Sequence, residues 1–270
     1  MRLGAVQFLN AYPLYWGLKY TPNVVVKKDI PSRLADDLFR HDLDVAIISS
    51  IEFHRHRDLF EFYPDLCISA RGPVESIRLY LNPALVSSAE PPMEALANRL
   101  KDRGTLRIYY DVATRSSLSM LKVLLGELCP GCRPRDIEFI QVGPPFDKII
   151  GELGEDELVL LIGDSALRLK DLPSIDMGEF YLKVFNRAFV YAVWVYRRDT
   201  GGGARELLLN AYDIGQKNLD EMIGDAVAEF GFSETFTRRY LTQIVRYEFT
   251  DELKDDMKFF FQKSDLSKII

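Results

Sequence analysis

Along the first third of the chain, short apolar runs alternate with amphipathic stretches in a pattern that predicts strand, helix, strand, helix, strand. Leu3–Leu9 reads as a strand, Pro13–Tyr20 as a helix, Asn23–Lys27 as a strand, Pro31–Arg40 as a helix and Val45–Ile48 as a strand, together a βαβαβ block. Pro31 suits a first helical position, and Leu34, Leu38 and Phe39 give the apolar spacing of one helix face. Strands follow near Phe60–Tyr63, Leu66–Ala70 and Ile77–Leu81, and the Ser-, Pro- and Ala-rich segment from Asn82 to Pro92 marks a crossing between domains. A second βαβαβ block comprises strands at Leu106–Tyr110, Ile137–Gln141 and Leu158–Ile162, separated by helices at Ser116–Leu128 and Phe146–Leu153. Phe189–Tyr196 is short and rich in β-branched and aromatic residues, and reads as a strand that returns the chain to the first domain. From Arg205 onward the pattern is helical, with segments near Arg205–Gln216, Leu219–Phe230, Glu234–Ile244 and Asp251–Gln262.

These elements predict an α/β chain of two lobes joined by two crossing strands, with a C-terminal helical segment on the first lobe. Lobe I is expected to take residues 1–82 and 190–270, and lobe II residues 83–189. Lobes of this kind ordinarily close over a small ligand held between them. No internal sequence repeat or low-complexity tract interrupts the pattern.

Composition narrows the function classes. Of 270 residues 47% are hydrophobic and 12% aromatic, ample for a packed core, yet no stretch approaches the roughly 20 apolar residues that span a bilayer. No membrane partner is expected. The amino terminus opens directly on strand-like residues without a basic, then apolar, leader pattern, so a cytoplasmic location is expected. A net charge of −6 argues against a nucleic-acid partner, because nonspecific binding needs many Lys or Arg contacts to phosphates. A small anionic ligand would then need a local positive pocket. The three cysteines, Cys67, Cys129 and Cys132, cannot all pair within one chain, which fits a reducing compartment. A homodimer is left open as the assembly.

Polar residues gather where predicted strands end. Asn10 follows the first strand, at the carboxyl edge where open α/β sheets bind ligands, and its amide can orient a hydroxyl or carboxylate without carrying charge. An Asn there also caps helices. Ser49 and Ser50 follow Val45–Ile48, Ser76 follows the Gly72-Pro73 turn, and Gly163-Asp164 follows Leu158–Ile162. Thr114, Arg115, Ser116 and Ser117 open a predicted helix, where hydroxyls, backbone N–H groups and a guanidinium can hold a carboxylate, or where Thr and Ser simply cap the helix. No G-x-S-x-G surrounds Ser76, which disfavours acyl transfer. Cys129-Pro130-Gly131-Cys132 lacks a second ligand pair for zinc and reads as a loop, and His54 and His56, in a His-Arg-His-Arg run, read as a solvated helix end rather than metal ligands.

The stretch Gln7-Phe8-Leu9-Asn10-Ala11-Tyr12-Pro13-Leu14-Tyr15-Trp16-Gly17-Leu18 resembles the opening of the MqnA-type chorismate dehydratases of the futalosine route to menaquinone. Four more segments agree, in order and rough spacing: residues 43–53, Gly72-Pro73-Val74-Glu75-Ser76, Thr114-Arg115-Ser116-Ser117 and residues 161–167. The resemblance implies a fold like the type II periplasmic binding proteins, used as an enzyme without metal or organic cofactor and with chorismate as its substrate. It places Asn10 and Ser76 on catalytic positions, and the Ser116-Ser117 and Gly163-Asp164 turns on substrate-lining segments. One departure is Asn186-Arg187-Ala188-Phe189, where the family has a Gly-Leu-Pro-Phe-like stretch.

The implied reaction removes water from chorismate and leaves an aromatic ring. Three other classes compete with it. A dihydroxynaphthoate synthase-like enzyme of the same pathway would carry a different amino-terminal signature from Phe8-Leu9-Asn10. A noncatalytic binding protein for a small anionic solute would bind chorismate without product. An effector-binding regulator would need a helix-turn-helix at one terminus.

Overall fold

The alternating runs fold as two α/β units. The structure, a computed structural model, describes residues 1–82, 92–100, 105–128 and 137–266. In chain order the first elements are β1 (Arg2–Val6), α1 (Tyr12–Tyr15), β2 (Val25–Asp29), α2 (Pro31–Phe39), β3 (Val45–Ser49), α3 (Ser50–Arg55) and β4 (Phe60–Ala70). Next come β5 (Ile77–Leu81), α4 (Pro92–Arg99), β6 (Leu106–Asp111), α5 (Arg115–Leu128), β7 (Ile137–Val142), α6 (Phe146–Gly151) and β8 (Glu157–Ile162). The remainder is α7 (Gly163–Arg168), β9 (Ser174–Asp176), α8 (Met177–Phe185), β10 (Phe189–Arg197), α9 (Arg205–Lys217), α10 (Leu219–Phe230), α11 (Glu234–Arg239), β11 (Arg246–Glu248) and α12 (Asp251–Leu266).

The first unit comprises Met1–Ala70 and Val190–Met257, the second Arg71–Phe189 and the chain from Lys258 onward. The expected boundary after residue 82 is therefore corrected. Ile77–Leu81 pairs with β8 and β9, so it belongs to the second unit, and the crossing runs through residues 71–76 rather than along a strand. The Asn82–Pro92 crossing expected from composition lies largely outside the described residues. The helical tail is also shared between the units. Phe260 packs on Tyr181 and Phe189, Phe259 on Phe185, and Lys263 reaches Glu127 at 2.6 Å, all within the second unit.

The first sheet has strand order β11-β4-β10-β3-β1-β2. β1 is parallel to β2 and β3, while β10 runs antiparallel to β3. β3 (Val-Ala-Ile-Ile-Ser) is buried along its whole length, as expected of a continuous apolar run in a sheet covered on both faces. The expected strands Phe60–Tyr63 and Leu66–Ala70 are one strand, β4. It accommodates Pro64 because β11 pairs with it only between Leu66 and Ser69. The expected strand Leu3–Leu9 stops at Val6, where the chain turns into a short 3-10 helix, Leu9–Ala11.

The second sheet has order β7-β6-β8-β5-β9. β6 is parallel to β7 and β8, and β5 is antiparallel to β8. Tyr80, Ile150, Leu153, Val159, Leu161 and Ala166 form a buried cluster, and the Tyr80 hydroxyl donates to the Ala166 carbonyl at 3.0 Å. Among the described residues no helix is long and apolar enough to cross a membrane.

Both βαβαβ blocks share one topology. In each, the first strand lies between the second and the third, β2-β1-β3 in one unit and β7-β6-β8 in the other. The chain leaves β1 for one neighbour and later crosses to the opposite side, so the crevice beyond β1 and β3 is a switch point, as is that beyond β6 and β8. Asn10 and Ser49-Ser50 follow the first pair, and Thr114–Ser117 and Gly163-Asp164 follow the second.

Candidate functional site

In the first unit Asn10 is the middle residue of the 3-10 turn between fully buried Leu9 and Ala11, which fix the turn in the core. The carbonyl of Asn10 accepts a hydrogen bond from the Tyr247 hydroxyl at 3.0 Å. Burial pushes the Tyr247 phenol well above its ordinary pKa, so it stays a neutral donor. The side-chain Oδ1 of Asn10 is buried and has no hydrogen-bond partner among the described residues. A buried amide oxygen left unpaired is costly and is normally explained by a function or a ligand.

Ser49 ends β3, which pairs with β1, and Ser50 follows it, but both are committed to the fold. Ser49 caps α3, its Oγ accepting from the Glu52 N–H at 3.3 Å. Ser50 is wholly buried and donates its hydroxyl to the Val190 carbonyl at 2.7 Å. His54 and His56 lie at the end of α3 as expected, and the solvated reading is corrected for His54 alone, the His56 side chain being 35% exposed. His54 is buried, and the His56 ring packs edge-on against Phe39 with its Nε2 3.4 Å from Glu52 Oε1. Arg57 Nη1 donates to the His54 carbonyl at 3.0 Å and lies 3.2 Å from its Nδ1, so a neighbouring arginine is part of the His54 environment, while the Phe39 and Phe60 rings pack on His56.

In the second unit Ser76 precedes β5, antiparallel to β8, and this register brings it to Gly163. The Gly163 N–H donates to the Ser76 carbonyl at 2.7 Å. Ser76 is wholly buried, and its Oγ has no hydrogen-bond partner among the described residues. Gly163 adopts φ 64, the left-handed region, as it starts α7, with Asp164 in that helix's first turn. Thr114, Ser116 and Ser117 are buried at the start of α5, with Arg115 half-buried. The Thr114 hydroxyl donates to the Asp111 carbonyl at 2.5 Å, closing the turn after β6. Burial raises the Asp111 carboxyl above its ordinary range, opposed by the N–H groups of Ala113 and Val112.

The structure thus gathers Asn10 with Ser49 and Ser50 in one unit. In the other it joins Ser76 to Gly163 directly and sets Thr114–Ser117 beyond the adjacent parallel strands. Two residues that support the site escaped the sequence reading. Tyr247 lies on β11, whose exposed-buried-exposed pattern is the strand signal, though only three residues long. Asp176 caps α8 and anchors the segment before Ser76, and its Asp-x-x-Glu spacing to Glu179 is the capping signature that could have revealed it. Among the described residues no group of three His, Cys, Asp or Glu side chains is placed to hold a metal. Cys129 and Cys132 lie outside the described residues.

A family model described as menaquinone biosynthesis matches residues 1–265. The chain belongs to this menaquinone biosynthesis family. A chorismate dehydratase of Thermus thermophilus is 24% identical over 219 residues, covering 73% of this chain and 70% of that protein. A chorismate dehydratase of Campylobacter jejuni is 37% identical over 109 residues, covering 37% of this chain and 45% of that protein. A solved protein of Archaeoglobus fulgidus superposes with a TM-score of 0.75 at 15% identity, covering 100% of this chain and 98% of that one. A Candida albicans protein with the generic periplasmic binding protein fold gives 0.65 at 10% identity, covering 98% and 90%. The expected α/β fold of the periplasmic-binding-protein type is therefore the fold of this family member.

The departure at Asn186 has a local explanation. Asn186 takes φ 53 at the C-cap of α8, donating its N–H to the Leu182 carbonyl at 2.7 Å, a left-handed position that Gly fills best and Asn next. Arg71 Nη2 donates to its backbone and side-chain oxygens at 3.2 and 3.3 Å.

Proposed function

We propose that this chain is a hydro-lyase that removes water from chorismate, giving 3-[(1-carboxyvinyl)oxy]benzoate. The observation that carries the reading is that each unit holds one such atom at a candidate position: Asn10 Oδ1 in the first and Ser76 Oγ in the second are buried, uncharged and without a partner among the described residues. They stand at the two positions that the resemblance marks as catalytic. The family match over residues 1–265 and the chorismate dehydratase relatives support the same reading.

The elimination breaks the C–H bond beside the enolpyruvyl ether and the ring C–O bond to the hydroxyl, and the C–H electron pair becomes the new ring π bond. An amide and an alcohol are poor bases at neutral pH, so the base is the substrate's own side-chain carboxylate, which takes the ring proton and delivers it to the departing hydroxide. Asn10 and Ser76 hold the reacting conformer and hydrogen-bond the leaving hydroxyl, which makes positioning the main contribution. The N-terminus of α5, with Arg115, Ser116 and Ser117, supplies N–H groups and charge suited to a substrate carboxylate.

The test is incubation of the protein with chorismate and identification of the product by mass. Loss of one water is expected, whereas bound chorismate recovered intact would favour a solute-binding protein. Asn10→Ala and Ser76→Ala are expected to abolish most turnover, and Asn10→Asp to weaken it by setting a negative charge beside a dianion. Unchanged chorismate consumption in both alanine variants would overturn the assignment.

A further inference from the structure

Glu75 lies at φ 61, one residue before Ser76. A non-glycine residue in the left-handed region persists only where its surroundings hold it. Asp176 does so. Its Oδ1 accepts from the Val74 N–H at 3.0 Å and its Oδ2 from the Glu75 N–H at 2.7 Å. The same carboxylate caps α8, Oδ1 also accepting from the N–H groups of Gly178 and Glu179 at 3.0 and 3.1 Å. Arg78, which pairs with Asp176 across β5 and β9, reaches Oδ2 at 3.4 Å.

An ordinary helix cap needs one side-chain oxygen and one helix. Asp176 does more, because both of its oxygens fasten the segment that leads into Ser76, and it is 8% exposed while doing so. On the other side the Ser76 N–H donates to the Val74 carbonyl and the Gly163 N–H to the Ser76 carbonyl, each at 2.7 Å. With residues 74–76 fixed from both sides, the direction of the Ser76 Cα–Cβ bond is fixed as well. An asparagine at 176 would offer one acceptor oxygen where the carboxylate offers two, and would turn an NH2 group toward backbone N–H donors.

We propose that Asp176 is the positioning residue of Ser76: its carboxylate holds the Val74–Glu75 turn in the conformation that aims the Ser76 hydroxyl. This deepens the reading of Ser76 as a substrate-contacting residue and rests on it. Asp176 touches no reacting atom.

The test combines amide exchange and kinetics on the full chain. In the wild-type protein the amides of Val74 and Glu75 exchange as slowly as those of β5 although they lie outside any strand, and exchange at open-loop rates overturns the proposal. In Asp176→Asn these two amides exchange faster while those of β8 are unchanged, and kcat for chorismate falls about 10- to 100-fold with KM little altered. The double variant Ser76→Ala/Asp176→Asn is no slower than Ser76→Ala, because nothing remains to be aimed, whereas multiplied losses overturn the proposal. Adding Glu75→Gly to Asp176→Asn restores part of kcat, since glycine adopts positive φ unaided. Should Asp176→Asn not fold, Asp176→Glu and the wild-type exchange pattern decide. A wild-type protein that does not dehydrate chorismate, or a fully active Ser76→Ala, would sink the reading of the site instead, and amide exchange would then judge the anchoring alone.

Discussion

The backbone N–H of Gly163 donates to the carbonyl of Ser76 at 2.7 Å, joining the residue that starts α7 to the residue just before β5. Gly163 achieves this at φ 64, where any side chain crowds the backbone. Gly163→Ala is expected to cost about 1–2 kcal/mol of stability and to lower kcat further by shifting Ser76. Urea unfolding and steady-state kinetics check the two effects separately.

Gly17 lies in the 3-10 turn Trp16–Tyr20, against α9. A Cβ there would stand 2.1 Å from the Ala211 carbonyl oxygen and 2.8 Å from its carbon, both backbone atoms that cannot rotate away. Gly17→Ala is therefore expected to lose at least about 1–3 kcal/mol. The Trp16 indole, hydrogen-bonded to Asp225 at 2.8 Å, reports the displacement by fluorescence.

Ser50→Ala separates a structural serine from a substrate-binding one. The Ser50 hydroxyl is wholly buried and donates to Val190, so its removal leaves a buried carbonyl short of a partner, at a cost of about 1–3 kcal/mol. The unfolding midpoint is expected to fall while KM for chorismate stays unchanged. A raised KM at full stability would contradict this assignment.

Asp65 on β4 accepts from Arg205 Nε and Nη2 at 2.8 and 2.5 Å, and these bonds hold its carboxyl below the usual carboxylate range. The folded-state pKa being lower than the unfolded one, the pair stabilises the fold above about pH 4 and loses that effect as pH falls through the folded value. Arg205 is half-exposed, so solvent and salt screen the gain and it stays small. Asp65→Asn is expected to lower the unfolding midpoint at pH 7, less so in high salt, and by progressively less as pH falls through the folded value of Asp65.

The two βαβαβ blocks were legible because Val45–Ile48 and Leu158–Leu161 are unbroken apolar runs that the structure buries completely. The helix Leu219–Phe230 was read to its exact ends, where Gly231 at φ 72 closes it. Membership of β5 and of the end of α12 was not legible, since the partner of a strand or an aromatic helix face is chosen by tertiary pairing. The short strands β9 and β11, three residues each, are below the length at which periodicity speaks. Helix α8 went unread because Met-Gly-Glu-Phe-Tyr-Leu-Lys-Val-Phe has little polar alternation to mark a helix face. At the site the residue types were readable, but the use of each hydroxyl was not. Ser50 finds its acceptor 140 residues later in the chain. The common strand order of the two units left no repeat in the sequence because topology constrains apolar pattern, not identity.

In the first sheet β10 lies between β3 and β4, although both of those strands are complete by residue 70 and β10 begins only at Phe189. During synthesis β3 and β4 therefore emerge before the strand that lies between them in the sheet. The second unit emerges in the interval, and until β10 arrives the nascent first unit presents bare, apolar edges of the kind that invite association between chains. A chain that ends before Phe189 would keep the β3 and β4 edges without the strand that lies between them.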